Sequence, residues 1–282
     1  MNNILVATDL SERSGLALTR AALIAKQQNA VLHIAYAIDD GLPATVAADC
    51  ETSATKELTR IVTEGAPFKG VTTRIHVDFG HPWQVVTRLA QDLDADLLVM
   101  GLHRNRGFRE LFGGTTLHRT AHSSECPLLV VAERTTGPYE TPLVGCDFSD
   151  CARHAANLTT QLVPDHPMTL VHAYHIPFKG LTQRTDIKGE VSEREKKRVE
   201  TAVHARMWDF VATLDNPHRA TAILAREGGP IKVLEAEVNA LGADLVCIGS
   251  HGKSWVVEAI LGSTAEELLS FPPCDVLLAP LR

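Results

Sequence analysis

The feature that most limits what this 282-residue chain can fold into is an internal repeat. Val6-Ala-Thr-Asp-Leu-Ser11 returns as Val144-Gly-Cys-Asp-Phe-Ser149, a shift of 138 residues from Asp9 to Asp147. Later pairs are shifted by 148: Gly80 with Gly228, Pro82 with Pro230, Asp96 with Asp244, Gly101 with Gly249, Gly114 with Gly262 and Cys126 with Cys274. Between them, His33 in Val-Leu-His aligns with His172 in Leu-Val-His. Repetition at this period means two copies of one domain-sized unit. At roughly 150 residues per domain the length agrees, and each copy is large enough to bury its own core. The expected domains are 1–136 and 140–282, joined near Arg134 to Pro142, where Thr-Thr-Gly-Pro breaks the pattern.

Each copy alternates strand and helix. In the first, Ile4 to Thr8 is a short apolar strand, and Ser11 to Gln28 is a helix with Ser11 as its cap. Ala30 to Ala37 and Val71 to Val77 are the next strands, with a helix from about Thr52 to Glu64 between them. Gly80-His-Pro82 starts another helix, Asp96 to Gly101 is a strand entering a glycine loop, Gly114-Thr115-Thr116 opens a helix, and Leu128 to Ala132 closes the unit. The second copy repeats this order with about ten extra residues between its second and third strands, where Lys188 to Arg206 predicts a longer, solvated helix. Strand-helix alternation implies right-handed crossovers and a parallel sheet covered on both faces. Ligands of such sheets bind at the carboxyl ends of the strands, at the switch point. Asp147, ending the first strand of its copy, and Gly249, ending the fourth, belong to that edge.

The most chemically specific stretch is Val246 to Thr264. An apolar strand ends at Ile248, Gly249 and Gly252 free the backbone, and Gly262-Ser263-Thr264 supplies cap chemistry to a helix over Ala265 to Ser270. Unpaired NH groups at a helix start, with the peptide dipoles behind them, suit a phosphate. Glycines after a strand are also ordinary turn punctuation, Asp147 also reads as a helix-capping carboxylate, and His251 as a solvated loop histidine. Gly252-Lys253-Ser254 looks like the end of a Walker A loop, but Cys247 stands where its opening glycine belongs, and no G-x-G-x-x-G fingerprint is present.

Composition narrows the partners. A hydrophobic fraction of 45% and a charged fraction of 22% are those of a folded globular chain. A net charge of −7 and the absence of a basic arm argue against nucleic acid. No apolar run is long enough for a membrane, and the chain enters a strand at once without signal-peptide character, so a cytoplasmic location is expected. The six cysteines form no C-x-x-C pair and read as reduced, mostly buried thiols. His33 and His172 read as packed, hydrogen-bonded strand residues rather than metal ligands.

The spacing Gly249-x2-Gly252-x9-Gly262-Ser263 resembles the nucleotide-binding signature of the universal stress protein family, and the resemblance covers nearly the whole chain as two tandem copies. It implies an α/β fold of two tandem Rossmann-like (adenine nucleotide alpha hydrolase-like) domains, each a five-stranded parallel sheet of order 3-2-1-4-5 with helices on both faces. It also implies ATP as ligand of the second domain. Gly145, Cys146 and Asp147 would face the adenosine end, and Ala173 would line the base pocket. Ile248, Gly249, His251, Gly252 and Lys253 would form the ribose and phosphate loop, with Gly262, Ser263 and Thr264 on the phosphates. Mg2+ would come with the nucleotide rather than from a ligand motif, and whether AMP or ADP replaces ATP stays open.

The first copy departs from this pattern. Arg104 replaces the second glycine, so Asp9, Gly101, Arg104, Gly114 and Thr115 read as a degenerate site, with Asp9 kept as a structural cap. In the family the copies pair through their last strands, which here are Leu128 to Ala132 and Val276 to Ala279. That makes the chain an intramolecular pseudo-dimer and leaves a homodimer and any protein partner open. The reading is a nucleotide-dependent stress or signalling protein. A slow ATPase, or another enzyme using adenine nucleotides, is the first alternative, although no activated nucleophile or carboxylate pair is present. A nucleotide-free interaction scaffold is the second.

Overall fold

The computed structural model describes residues 1–102, 116–133, 137–176, 189–250 and 261–280. The first half runs β1 (Asn3–Ala7), α1 (Glu12–Gln28), β2 (Val31–Ile38), α2 (Ala44–Glu64), β3 (Thr73–Phe79), α3 (Pro82–Asp92), β4 (Leu97–Gly101), α4 (Thr116–Ser123) and β5 (Leu128–Val131). The second runs β6 (Pro142–Gly145), α5 (Asp150–Leu162), β7 (Met168–Tyr174), α6 (Gly189–Ala212), β8 (Ala220–Glu227), α7 (Pro230–Leu241), β9 (Leu245–Gly249), α8 (Ser263–Ser270) and β10 (Asp275–Ala279). All ten strands form one sheet in the order β3-β2-β1-β4-β5-β10-β9-β6-β7-β8. Each half therefore has the expected 3-2-1-4-5 order, and the two meet at their last strands.

Parallel strands buried on both faces need continuous apolar runs, and β4, β5, β9 and β10 supply them. One face is covered by α1, α2, α5 and α6, whose buried side chains include Ala21, Leu58, Ala155 and Met207. The other is covered by α3, α4, α7 and α8, through Val85, Leu117, Val233 and Leu268. Local signals repeat in both halves. Ser11 and Ser149 cap α1 and α5, accepting from Ser14 N and Ala152 N. Gly80 and Gly228 take φ values of 134° and 150° before the prolines that open α3 and α7, a region L side chains avoid. Asp96 accepts from the backbone of Asn2 and Asn3, and Asp244 from that of Glu140 and Thr141. These paired aspartates brace the first residues of the neighbouring strands β1 and β6.

At the junction β5 and β10 pair antiparallel, Leu129 opposite Leu277, with Val276 opposite Val130 and Leu278 opposite Leu128. Position 128 is equivalent to 276 and 130 to 278, so the contact is isologous, as in a two-fold dimer. It also covers the apolar edge that each half would otherwise present.

The symmetry is broken by one buried polar cluster. Asp275, 2% exposed, accepts from Arg20 Nε at 3.2 Å, Tyr139 OH at 2.6 Å, Ala132 N at 2.9 Å and Glu133 N at 3.3 Å. Arg20 also donates to Gly137 O at 2.7 Å, and its guanidinium lies 3.8 Å from the Tyr139 ring centroid. Burial and the adjacent Asp275 push the Tyr139 phenol well above its ordinary value. Helix α1, the connection between the halves and β10 are thereby tied at one point.

Three expectations need correction. Helix α2 starts at Ala44, eight residues before Thr52. Helix α6 runs past Arg206 to Ala212, and Met207, Phe210 and Val211 are buried, so its last turns are core rather than solvated. His33 and His172 are not equivalent positions. Leu5 pairs with His33, whereas Leu143, the counterpart of Leu5, pairs with Thr169. The counterpart of His172 is Tyr36. The matched triplets were three residues out of register, and an odd slip moves a side chain to the opposite face of the sheet. With that register the second half carries twelve more residues than the first between its second and third strands, the shift rising from 136 at β7 to 148 at β8.

His33 is 2% exposed; its Nδ1 lies 2.9 Å from His76 Nε2 and its Nε2 3.4 Å from Asn3 Oδ1. Burial, with help from His76 and Arg74, pushes the His33 imidazole down to about 4. Burial also lowers His76, with Asp78 opposing and Arg74 assisting. The folded chain thus binds fewer protons than the unfolded chain between the ordinary 6.5 and about 4, and stability should fall as pH is lowered through that interval. The check is the difference in urea midpoint between about pH 7.5 and about pH 4.5, which should be smaller in His33→Gln than in the wild type. Equal losses would locate the acid sensitivity elsewhere.

Candidate functional site

A cavity of about 260 Å³ opens at the carboxyl edge of the second half, where β6 lies between β7 and β9. This is the switch point of a doubly wound sheet, where successive crossovers leave on opposite faces and the loops diverge. Gly145, Cys146 and Asp147 form one wall. Ala173 ends the adjacent strand, and Ile248 and Gly249 end β9. Gly262, Ser263 and Thr264 close the remaining side at the start of α8. Nine residues singled out from the sequence thus come together. His251, Gly252 and Lys253 lie outside the described residues, as do Arg104, Gly114 and Thr115 of the first half. Asp9 and Gly101 occupy the equivalent sheet edge there.

Sequence reasoning missed the apolar lining: Val171 from β7, and Pro230, Val233 and Leu234 from α7. Val233, Leu234 and Val238 recur at helical spacing, the same signal that any core-facing helix gives. Ser250 and Ala265 were missed as well, and so was His172, read from the sequence only as a packed strand residue.

Asp147 is half-buried, and its Oδ1 accepts from Ser149 N at 3.0 Å and Ser149 Oγ at 2.5 Å. Its Oδ2 makes no hydrogen bond among the described residues. Asp147 is therefore not the helix cap itself; it braces Ser149, which is. Asp9 is built the same way, accepting from Ser11 N at 3.0 Å, so it too is not the cap. Burial raises the Asp9 carboxyl, but hydrogen bonds from Ser11, Ser14 and the backbone outweigh it and hold the group below its ordinary value.

The start of α8 also differs from expectation. Gly262 is the cap residue and no side chain caps the helix; Ser263 and Thr264 occupy its first two positions. Gly262 N donates to Ser250 O at 2.9 Å, and the first bond inside the helix is Glu266 N to Gly262 O at 2.9 Å. The NH groups of Ser263, Thr264 and Ala265 therefore have no acceptor within the helix and face the cavity mouth. Glu266 is drawn to α4, its Oε1 3.5 Å from His122 Nε2.

Gly249 has a packing role. A Cβ there would lie 2.5 Å from Cys151 Cβ and 2.8 Å from the Cys151 carbonyl carbon. Gly101 has the same role, with Arg13 O at 2.9 Å. Both glycines let the first helix of their half cross close over the end of the fourth strand.

The halves differ at several positions that line the cavity. Gly145, Ser250 and Ala265 are replaced in the first half by Ala7, Leu102 and Leu117. Leu117 is 4% exposed, and both leucines pack on the apolar layer that the cavity interrupts in the second half. At these three positions the first half carries the larger side chain, and at two others, Ala35 for Val171 and Val86 for Leu234, it carries the smaller one.

The fold and cleft define a tandem, doubly wound α/β protein with a small-molecule pocket at one switch point. The chain belongs to the universal stress protein family, whose sequence profile matches residues 1–132 and 138–280. The family places it among stress-response proteins. A universal stress protein A homolog of Coxiella burnetii is 31% identical over 140 residues, 46% of this chain and 94% of that protein. The crystal structure of a universal stress protein from Archaeoglobus fulgidus matches 99% of this chain and 98% of its own at 18% identity, with a TM-score of 0.68, a likeness of fold. A universal stress protein solved in complex with cAMP is 27% identical and covers 46% of this chain and 96% of its own, with a TM-score of 0.39. No helix among the described residues is long and apolar enough to cross a membrane.

Proposed function

We propose that the second domain, over 140–282, binds an adenine nucleotide, ATP in the first place, and that occupancy changes the stability or partner contacts of a cytoplasmic stress-response protein. The first domain, 1–136, serves as its filled, non-binding partner. The observation that carries this reading is the cavity, apolar at its base and rimmed by a carboxylate and unpaired helix NH groups. A purine fits the apolar base between Val171, Ala173, Val233 and Leu234. Asp147 would take a ribose hydroxyl on its free Oδ2. The phosphates would leave through the mouth toward Ser263 and Thr264, with His251, Gly252 and Lys253 contributing from the loop before α8. A volume of about 260 Å³ is just below the roughly 300 to 1,000 Å³ of most ligand pockets, which suits a nucleoside inside with the polyphosphate outside at the rim.

Among the described residues no cluster of three or more His, Cys, Asp or Glu could hold a metal ion. Mg2+ is therefore proposed only through the phosphate oxygens.

The test fills the cavity with the first half's own residue. In Ala265→Leu, copying Leu117, ATP affinity measured by calorimetry with Mg2+ should fall by about tenfold or more, a loss of about 1.4 kcal/mol. AMP, ADP and cAMP serve as comparison ligands. Because only the native state binds, ATP at about 100 times its Kd should stabilise the wild type by about 2.7 kcal/mol and the variant by much less. Wild-type binding that survives the substitution would place the nucleotide elsewhere. No binding of any of the four ligands would leave the scaffold reading.

A further inference from the structure

Helix α6 spans 24 residues against 21 in its first-half counterpart α2, and its last turns pack against the segment that follows β6. Phe148 follows Asp147 in a left-handed conformation, φ 65°. The Arg206 guanidinium lies 4.4 Å from the Phe148 ring centroid, and the Phe210 ring meets it edge-on at 6.0 Å and 74°. On its other side the His172 ring lies 4.3 Å away, tilted by 45°, and His172 Nδ1 is 2.6 Å from Cys146 O. Phe148 is thereby held between Arg206 and Phe210 of α6 and His172 of β7, and His172 lines the cavity together with Cys146 and Asp147. In the first half the same turn carries Leu10, φ 61°, which has no ring for a cation to stack on.

From this geometry we infer that Arg206 and Phe148 are positioning residues for the nucleotide site: α6 fixes Asp147 through the Arg206–Phe148–His172 stack, and ligand occupancy is felt in α6. A non-glycine residue at positive φ persists only where its surroundings over-determine it. Leu10 holds the same left-handed turn without a ring, so the stack does not create the turn; it packs against it, next to the carboxylate assigned to the ribose. Coupling of this kind is reciprocal, so what α6 does for the ligand the ligand does for α6. The inference rests on the nucleotide reading of the cleft.

Three variants and a control test it: Phe148→Leu, which copies the first half, Arg206→Ala, Arg206→Lys, and Trp208→Ala on the exposed side of α6, where Trp208 is 60% exposed. ATP affinity should weaken about fivefold in Phe148→Leu and Arg206→Ala, and return close to wild type in Arg206→Lys, which keeps a cation over the ring. Trp208→Ala should change nothing. Saturating ATP should slow amide hydrogen exchange over 200–212 in the wild type and the Trp208 variant, but not in Phe148→Leu. A stack that serves folding alone would lower stability without removing this ligand-dependent protection. Unchanged affinity in Phe148→Leu and Arg206→Ala, or ATP binding that leaves exchange in α6 untouched, overturns the inference while the site reading stands. Failure of the wild type to bind any adenine nucleotide overturns both.

Discussion

Asp275→Ala is expected to lower the unfolding free energy by about 3 to 5 kcal/mol, the usual cost of stranding one partner of a buried pair. A carboxylate offers about four lone-pair sites, and here Arg20, Tyr139, Ala132 N and Glu133 N fill them. Removing it leaves the Arg20 charge in a site 6% exposed, with Gly137 O and the face of Tyr139 as its remaining partners among the described residues. The measurement is the urea midpoint at constant m, read beside the oligomeric state, because the cluster ties the connection between the halves to β10. Replacing the cluster together, as Arg20→Met, Tyr139→Phe and Asp275→Leu, should recover most of the loss, since apolar residues of similar volume often replace a buried pair at little cost. A loss below about 1 kcal/mol in Asp275→Ala would show that water reaches the carboxylate and that the pair behaves as a surface one.

That cluster is also the clearest case of structure hidden from the sequence. The counterparts in the other copy are Pro127 for Asp275 and Leu158 for Arg20, so comparing the copies shows only that two polar residues stand where apolar ones are tolerated. Their partners lie on the connection, which no repeat can explain. The strand ending at Gly249 and the helix opening after Gly262 were legible because glycine, hydroxyl and apolar spacing each carry local meaning; the parallel sheet followed from the alternation, and its order from the family resemblance. Asp147 was legible as a residue of the sheet edge by its place at the end of a first strand, and it lines the cavity there. The apolar lining from α7 was not, because a side chain facing a cavity and one facing core have the same period. What sequence could have shown is that the halves differ at the cavity, in Ala7, Leu102 and Leu117 against Gly145, Ser250 and Ala265. The histidine pairing failed because three residues of similarity cannot fix register, and only strand pairing reveals the face.

Gly249→Ala is expected to destabilise the chain by about 1 to 3 kcal/mol, the cost of inserting a methyl group into a packed contact. The new Cβ would meet Cys151 Cβ at 2.5 Å, its carbonyl carbon at 2.8 Å and Ala152 N at 3.1 Å. Two of these are backbone atoms of α5, so relief requires the helix to shift rather than a rotamer to change. Gly101→Ala should cost a comparable amount, since its Cβ would meet Arg13 O at 2.9 Å and Ser14 Cα at 3.3 Å on α1. Gly15→Ala, inside α1 with nothing within 4 Å of its Cβ, should instead stabilise by about 0.5 to 1 kcal/mol through helix propensity. Denaturation without nucleotide separates the two roles a glycine can have at the end of this strand. If Gly249 were required only for a phosphate to approach the backbone, Gly249→Ala would lose ligand affinity at unchanged stability, and Gly101→Ala, in the half whose cavity is filled, would be silent. Parallel losses in both variants mean that helix packing over the strand end holds the first glycine of the motif in both halves. The burden of binding then falls on the positions where the halves differ.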